Sequence, residues 1–466
     1  MPPIIATMLW LALLLALLRF DPAKVRSMSL ALWVPVIWMF ILGSRLPSLW
    51  FGFGAGSAAR AMEEGNPLDR TIDLVLILLA VMILMSRSFQ WDKFVTRNFA
   101  LVAFVGFGLA SVLWSDFPFI AFKRWFRDLG NYFVILVILS DPRPLEAVRT
   151  VLRRLAYLLI PFSILLNKYY PQLSKQYDQW TGAPSFVGAA TSKNMLGGLC
   201  LVSGLFFFWD TVTRWKERKE KRTKRILLVN FAFIGMTLWL LILSNSATSR
   251  VCLAIGCLVI LATHSKMFQR HPGFVKALIP GCFLLYLVLA FGFDLNGLLA
   301  SQLGRNATLT DRTVIWKTVL SVKTNPLVGT GYESFWLGSR LMHVWQVLSG
   351  INEAHNGYLE VYLNLGAVGV LLLIGFLLGS FRTICKRFTS SPALASLSLS
   401  VWTIVLFYNV TEAGFRGGLL WLMLLLGAVS IPEPAERRVA VAAAFGNVRI
   451  PEQLRGVPVG PTSFRK

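Results

Sequence analysis

The residues best suited to chemistry lie in a polar stretch, residues 294–366, of an otherwise apolar chain. Two short clusters stand out in it, residues 310–316 (TDRTVIW) and residues 354–360 (AHNGYLE), the second directly before an apolar segment. Between them, residues 325–332 (NPLVGTGY) are rich in turn-forming residues that a continuing helix would not tolerate. We therefore expect the chemistry of this protein to reside in this stretch.

His355 is the first candidate catalytic residue. A histidine side chain titrates near neutral pH, so it can accept or donate a proton during a reaction. A single histidine before a helix is more often a capping or hydrogen-bonding residue. Its polar neighbours Asn356, Tyr358 and Glu360 favour the catalytic interpretation. Positions 355, 358 or 359, and 362 would share one helical face, which predicts a polar stripe.

Arginines form the second group of candidates. Arg250 follows a turn rich in Ser, Thr and Asn (residues 244–249), and hydroxyls near a helix N-terminus favour phosphate binding. Alternatively, Arg250 extends to lipid headgroups, and Arg312 only pairs with Asp311 or Glu333. Trp316, one turn after Arg312, would then be an interfacial anchor.

Further polar residues near the same loops are candidates for substrate binding. Five of them have an alternative structural role: a solvated helix face for Arg124 and Arg127, a helix start for Lys193 and Asn194, and pairing with Arg416 for Glu412. The candidates are Arg124, Arg127, Lys193, Asn194, Asn356, Tyr358 and Glu412.

The composition excludes a soluble enzyme. The 466 residues are 55% hydrophobic and only 15% charged, with a mean hydropathy of +0.62, whereas soluble domains carry about 25% charged residues. The net charge of +23 does not indicate nucleic acid, because the charges cluster in short loops between apolar runs, as in loops facing anionic lipid. The five cysteines lack metal-ligand spacing, and no Asp-x-Asp or His/Cys cluster occurs in the sequence, so we predict no metal.

Thirteen apolar runs predict an all-α polytopic membrane protein with twelve or thirteen transmembrane helices. The first run has no basic residue before it and no cleavage site after it, so we expect a retained helix rather than a signal peptide. The predicted organisation is a transmembrane domain over residues 1–431, one large loop over residues 294–356, and a cytoplasmic tail over residues 432–466. The runs are residues 4–19, 30–50, 71–86, 98–114, 126–140, 151–166, 187–209, 226–244, 251–263, 277–293, 357–380, 395–410 and 417–431.

The distribution of Lys and Arg predicts the orientation of the chain. The densest basic cluster, residues 214–225, should be cytoplasmic. Counting helices from it in both directions gives a consistent alternation, which puts residues 294–356 outside. Arg124, Arg250 and Arg312 then lie on the side with few basic residues. Charges near a bilayer are costly when unpaired, so we expect these arginines to converge on an anion.

Two other classes of protein remain open. A transporter or flippase for a lipid-linked solute is disfavoured because no inverted pair of broken helices is evident. A structural membrane subunit would not need the arginines of the outside loops. A Gly-rich phosphate loop is absent from the sequence, which argues against an ATP-driven pump.

Several spaced motifs resemble the O-antigen ligase and polymerase superfamily of bacterial membrane proteins. They are residues 244–250 (SNSATSR), 311–316 (DRTVIW), 325–332 (NPLVGTGY) and 355–359 (HNGYL). Residues 114–118 (WSDFP) and 191–197 (TSKNMLG) are similar to its exopolysaccharide-polymerase branch. The resemblance extends over about residues 100–430. One departure is Asp311, which stands where family members usually have Gly.

The resemblance implies a glycosyltransferase of the bacterial inner membrane with a periplasmic active site. It would polymerise glycan repeats carried on undecaprenyl pyrophosphate by an inverting displacement, without metal or cofactor. The alternative within the family is ligation of finished polysaccharide to a lipid A core. By position, Arg250 and Arg312 would hold the donor pyrophosphate, and His355 would sit at the reacting centre. The implied partners are the donor, the glycan acceptor, the bilayer, and chain-length and export proteins.

Overall fold

A computed structural model describes residues 1–21, 29–52, 65–87, 89–177, 182, 184–265, 268, 272–292 and 312–431. Helices make up nearly all of this part of the chain, and a short antiparallel hairpin pairs Lys175–Tyr177 with Pro184–Phe186. The helices are Pro3–Arg19, Trp33–Gly43, Pro47–Trp50, Pro67–Ser86, Trp91–Arg97, Phe99–Ala110, Pro118–Leu139, Pro144–Tyr169, Pro171–Ser174, Lys193–Arg214, Lys221–Leu243, Ala247–His264, Pro272–Gly292, Arg312–Ser321, Gly338–Val347, Gly357–Arg387, Pro392–Thr411 and Leu419–Ala428.

Each predicted apolar run contains a helix, which confirms the all-α polytopic fold. The predicted twelve or thirteen spans include runs shorter than a perpendicular helix needs, and fewer of the described helices have the full length. Among the described residues, six helices are long and apolar enough to cross a bilayer, or seven if Pro67–Ser86 and Trp91–Arg97 form one bent span. Other apolar helices are shorter, such as Leu419–Ala428 with 10 residues, against the roughly 20 that a perpendicular span needs.

Three long helices form the interior of the helical bundle. The buried share of the apolar window is 89% for Pro392–Thr411, 83% for Pro144–Tyr169 and 78% for Lys193–Glu217, but only 33% for Ala247–His264. Small and hydroxylated residues bring helices close at these contacts; the Ser400 hydroxyl, for example, donates to the Gly256 carbonyl at 2.8 Å. These three inner helices therefore provide a fixed frame for the polar loops at their ends.

The helix Gly357–Arg387 is broken at Gly366, which has φ 63° and ψ −165°. The break frees backbone groups that a membrane protein must satisfy internally, and the loop at residues 325–332 satisfies them. Its amides donate to the first half of the helix and its carbonyls accept from the second half. The bonds are Thr330 N to Leu363 O (3.1 Å), Gly331 N to Asn364 O (2.9 Å), Ala367 N to Pro326 O (2.9 Å) and Val368 N to Leu327 O (3.0 Å).

Two glycines permit this close packing of loop on helix. A Cβ atom at Gly329 would lie 2.4 Å from the Asn364 carbonyl carbon, and one at Gly366 would lie 2.3 Å from that of Leu327. Both glycines also have positive φ, which other residues rarely adopt. The turn-rich motif at residues 325–332 therefore caps a broken helix, a role that the sequence did not predict.

Candidate active site

Glu412 is the centre of a buried polar cluster that joins four of the predicted site residues. Its Oε1 atom accepts a hydrogen bond from Arg312 Nη2 at 2.6 Å, and its Oε2 atom accepts one from Asn194 Nδ2 at 3.1 Å. The Nδ1 atom of His355 lies 3.5 Å from the same Oε2 atom. Glu412 is 4% exposed, so its charge depends on these cationic and amide partners for compensation.

Glu353 completes this cluster and was not predicted. Its Oε1 atom lies 2.9 Å from His355 Nδ1, and its side chain is 34% exposed, in contrast to 5% for the side chain of Glu412. The spacing Glu-x-His is the feature of the sequence that could have indicated this contact. We call the set Arg312, Glu412, His355, Glu353 and Asn194 the Glu412 cluster.

The two glutamates determine the charge of His355. Burial alone would lower the pKa of His355, but the contacts with Glu353 and Glu412 outweigh burial and raise it to about 10. Burial would raise the pKa of Glu353, and the close contact with the charge of His355 outweighs this and lowers it to about 2. His355 is therefore a cation at neutral pH, better suited to donating to an anion than to accepting a proton.

The backbone at His355 is unusual and places it before the helix rather than on it. His355 has φ 48°, a left-handed conformation uncommon for residues other than Gly. The helix begins at Gly357 and Asn356 is its N-cap, with Asn356 Oδ1 accepting from Leu359 N at 3.0 Å. The predicted polar stripe that started at position 355 is therefore wrong, because His355 does not share the helical geometry of position 359.

Asn356 and Tyr358 bind the neighbouring helix in this structure. Asn356 Nδ2 donates to the Val410 carbonyl at 3.2 Å, and the Tyr358 hydroxyl donates to the Leu406 carbonyl at 3.1 Å. These bonds attach the start of Gly357–Arg387 to the end of Pro392–Thr411. The contacts position His355 relative to Glu412, which directly follows the second helix.

The loop before His355 is fixed through Ala354. The Ala354 amide donates to the buried carboxylate of Glu360, which also accepts from Trp336 Nε1 at 3.0 and 3.1 Å. The Ala354 carbonyl accepts from Trp316 Nε1 at 2.8 Å. Trp316 therefore supports the site through this bond, and its role as an interfacial anchor stays a prediction. Glu360 is 1% exposed and binds backbone and indole donors.

A second polar cluster surrounds Glu333 and Arg416. Arg416 donates to Glu333 Oε2 through Nη2 at 2.8 Å and Nε at 3.1 Å, and Arg124 donates to the Glu333 carbonyl. Burial would raise the pKa of Glu333, but Arg416 and Arg124 outweigh it and lower the pKa. The predicted pairing of Glu412 with Arg416 is wrong, since Glu412 pairs with Arg312 and Arg416 pairs with Glu333.

Arg127 lies beside this second cluster and not beside Glu412. Its Nη2 atom is 3.0 Å from Asp128 Oδ1, and Asp128 also accepts from the Tyr332 hydroxyl at 2.9 Å. Asp128, Tyr332, Glu333 and Arg416 all line one cavity of about 50 Å³. Such a volume holds a few water molecules at most. Arg124 and Arg127 therefore belong to a compartment next to the Glu412 cluster.

Arg250 does not contact the Glu412 cluster. Its exposed side chain donates to Asn245 Oδ1 at 3.3 Å. The turn before it does reach the site, because the hydroxyls of Thr248 and Thr411 lie 2.9 Å apart and Thr411 precedes Glu412.

The half-buried Lys193 lies beside Asn194 at the start of Lys193–Arg214. Asp311, the alternative partner predicted for Arg312, lies outside the described residues.

The sequence predicts no metal, yet three residues of the Glu412 cluster have the chemistry of metal ligands. One ligand atom from each of Glu353, His355 and Glu412 lies within 4.8 Å of the others. Arg312 already occupies Glu412 Oε1 at 2.6 Å, and its fixed positive charge would repel a divalent cation. These residues therefore do not fit a metal well.

The residues of the Glu412 cluster and of the cluster around Glu333 and Arg416 come from segments predicted to lie outside the cytoplasm. These segments are the starts of Pro118–Leu139 and Lys193–Arg214, the loop after residue 311, and the loop after residue 411. Arginines predicted to lie inside gather around a different residue: Arg149, Arg153 and Arg214 all pair with the buried Asp210. The separation of the two groups agrees with the alternation that the Lys and Arg distribution predicts.

Comparison with known proteins gives two matches. Residues 231–374 match the family model described as O-antigen ligase. The chain is also 26% identical, over 304 residues, to the exopolysaccharide production protein ExoQ of Rhizobium meliloti (strain 1021). That alignment covers 62% of this chain and 66% of the relative, so the chain spans slightly less than two thirds of the relative's length.

These matches confirm the resemblance to the O-antigen ligase and polymerase superfamily. Within it, the chain is similar to the ExoQ type of protein. The family match includes Arg250, Arg312 and His355, whereas Glu412 and Asn194 lie outside residues 231–374. Multiple apolar helices together with the family resemblance identify a multi-pass membrane protein.

Proposed function

We propose that the protein is a membrane glycosyltransferase that polymerises oligosaccharide repeats carried on undecaprenyl pyrophosphate. The product is an exopolysaccharide or O-antigen, and the active site faces the periplasm at the bacterial inner membrane. The observation that carries the proposal is the Glu412 cluster, in which Arg312 and His355 share one buried carboxylate. Cations fixed in this way suit a pyrophosphate leaving group, and the family resemblance supports the substrate class.

Arg312 is the proposed donor-binding cation. Its guanidinium has five N–H donors, and the bond to Glu412 uses Nη2, so other N–H groups remain to bind phosphate oxygens. Glu412 holds the guanidinium in place before the donor arrives, which reduces the ordering required in the transition state. Arg250 and Lys193 lie at neighbouring helix starts and would extend this positive region along the pyrophosphate.

The proposed reaction is a single displacement at the anomeric carbon. The oxygen of the acceptor hydroxyl forms the new bond to that carbon, and the bond from the carbon to the pyrophosphate oxygen breaks with its electron pair. Arg312 and cationic His355 stabilise the charge that develops on the leaving group. Glu353, the more exposed carboxylate of the cluster, accepts a hydrogen bond from the acceptor hydroxyl and orients it, and the hydroxyl proton passes to the departing pyrophosphate. One displacement inverts the anomeric configuration.

The second candidate function is ligation of finished polysaccharide to a lipid A core acceptor. The family model that matches residues 231–374 carries the description O-antigen ligase, which favours this alternative. Both reactions break the same bond to pyrophosphate, and they differ in the acceptor. The Glu412 cluster serves either reaction.

A strain that lacks the gene tests the proposed function. A polymerase mutant accumulates single lipid-linked repeats, whereas a ligase mutant accumulates free or lipid-linked polymer. Complementation with His355→Ala or Arg312→Ala should fail at normal membrane abundance. His343→Ala is the matched control, because His343 is exposed in the helix Gly338–Val347 and should restore polymer. Restoration by both site variants would remove the Glu412 cluster from the mechanism.

A further inference from the structure

A surface groove lies at the opposite end of the molecule from the Glu412 cluster in the predicted orientation. It is formed where Lys193–Arg214 ends and Lys221–Leu243 begins, next to the turn Trp215–Glu217. Its volume is about 470 Å³. One part of its lining is basic and the other is apolar. The lining residues are Trp215, Arg218, Lys219, Lys224, Leu227, Leu228 and Phe231.

The basic part of the groove carries charges without acidic partners. Arg218, Lys219 and Lys224 are exposed, and none of them forms an ion pair among the described residues. Glu217 and Glu220 are the acidic residues nearest in sequence, and neither is paired with these three cations. Three uncompensated cations around one groove favour a phosphate group.

The apolar part of the groove continues onto an exposed apolar surface of the helix Lys221–Leu243. Leu228 is 72% exposed and Phe231 is 51% exposed, although both lie on an apolar helix that is long enough to cross a bilayer. Trp215 packs edge-on against Phe231, with ring centroids 6.4 Å apart. Further along the same helix, Leu238 and Ile242 are also exposed. The groove therefore presents cations and a continuous apolar track to one ligand.

We propose that this groove binds an anionic glycerophospholipid of the cytoplasmic leaflet. Arg218, Lys219 and Lys224 bind the phosphate of the headgroup, and an acyl chain lies along Leu228 and Phe231. An acidic protein segment would satisfy the cations but would leave the apolar track uncovered. Anionic lipid satisfies both parts, and basic residues beside a transmembrane helix attract such headgroups. This binding site is independent of the proposed glycosyl transfer.

The test is native mass spectrometry of the purified full-length protein with defined lipids. The variant Arg218→Ala/Lys219→Ala/Lys224→Ala removes the three groove cations. The control variant Lys93→Ala/Arg97→Ala/Lys386→Ala removes three exposed cations elsewhere, at loops that are also predicted to be cytoplasmic. Each protein is titrated with phosphatidylglycerol, phosphatidylcholine, soluble glycerol phosphate and a heptaglutamate peptide, and thermal unfolding confirms that each variant is folded.

The wild type should retain phosphatidylglycerol in preference to phosphatidylcholine, and the control variant should keep this preference. Since each basic residue near an anionic headgroup changes affinity about fivefold, the groove variant should bind phosphatidylglycerol about 100-fold more weakly. Equal binding by the groove variant and the wild type would overturn the proposal. An equal loss in the control variant would also overturn it. So would binding of glycerol phosphate or heptaglutamate that matches phosphatidylglycerol in affinity, because the apolar track would then contribute nothing.

Discussion

Replacement of Glu412 by Gln is the most specific perturbation of the proposed site. The substitution keeps the size of the side chain and one carbonyl oxygen, but removes the charge that Arg312 and His355 share. Arg312 then loses a 2.6 Å contact with a carboxylate, and hydrogen bonds to charged groups contribute about 1.5–3 kcal/mol each. Because the amide oxygen still accepts one bond, we expect the free energy of unfolding to fall by about 2 kcal/mol.

The effect on catalysis should exceed the effect on stability. Loss of one preoriented cation at a developing charge costs a factor of about 100 to 1,000 in turnover, so Glu412→Gln should retain at most about 1% of wild-type activity. The assay is release of undecaprenyl pyrophosphate by purified protein, with thermal unfolding measured in parallel. Asp116→Asn is the matched control, because Asp116 pairs with Arg340 but its side chain is 65% exposed. Such a surface pair contributes at most about 1 kcal/mol.

Wild-type turnover by Glu412→Gln would refute the proposed role of the Glu412 cluster. Equal losses in Glu412→Gln and Asp116→Asn would refute it as well, since they would attribute the effect to general loss of negative charge. A destabilised variant with normal turnover per folded molecule would assign Glu412 a structural role only. These outcomes separate positioning of Arg312 from maintenance of the fold.

Three further predictions concern His355, Gly366 and the two arginines. The raised pKa of His355 contributes stability that is fully present below the ordinary histidine pKa of about 6.5 and is lost as pH rises through about 10. The thermal unfolding temperature of His355→Gln should therefore depend less on pH between 7 and 10 than that of the wild type. An unchanged pH profile would contradict the positive charge of His355. Gly366→Ala should lower the free energy of unfolding by at least about 2 kcal/mol, because the added Cβ atom would overlap the backbone of Leu327. Thermal unfolding measures this loss. The control Gly235→Ala, at a position with open space around it, should not lower it. Arg312→Ala should reduce pyrophosphate release more than Arg250→Ala, because only Arg312 contacts Glu412; the reverse order would contradict the geometry.

Much of the fold could be predicted from the sequence, because hydrophobic run length is a direct physical requirement of a bilayer. Every predicted run contains a helix. The break at Gly366 could not be predicted, since a single Gly in an apolar helix is common. Its cause lies in residues 325–332, whose packing against the helix is a contact between distant parts of the chain.

The members of the site could be predicted more readily than their pairing. Arg312, His355 and Glu412 were identifiable as polar residues beside apolar runs. Their partners are not evident from the sequence, because the sequence shows which charges are near along the chain and not which are near in space. Glu412 pairs with Arg312, a residue 100 positions away. Glu353 was missed since a lone carboxylate in a polar loop is ordinary.

The most direct test of the central claim uses purified protein in nanodiscs with an undecaprenyl-pyrophosphate-linked oligosaccharide. Released undecaprenyl pyrophosphate and glycan length are measured together for the wild type, Arg312→Ala, His355→Ala and the control His343→Ala. We predict release with longer glycan for the wild type and the control, and neither product for the two site variants while they remain folded. Movement of the lipid-linked substrate between leaflets without release of pyrophosphate would contradict the account and identify a transporter.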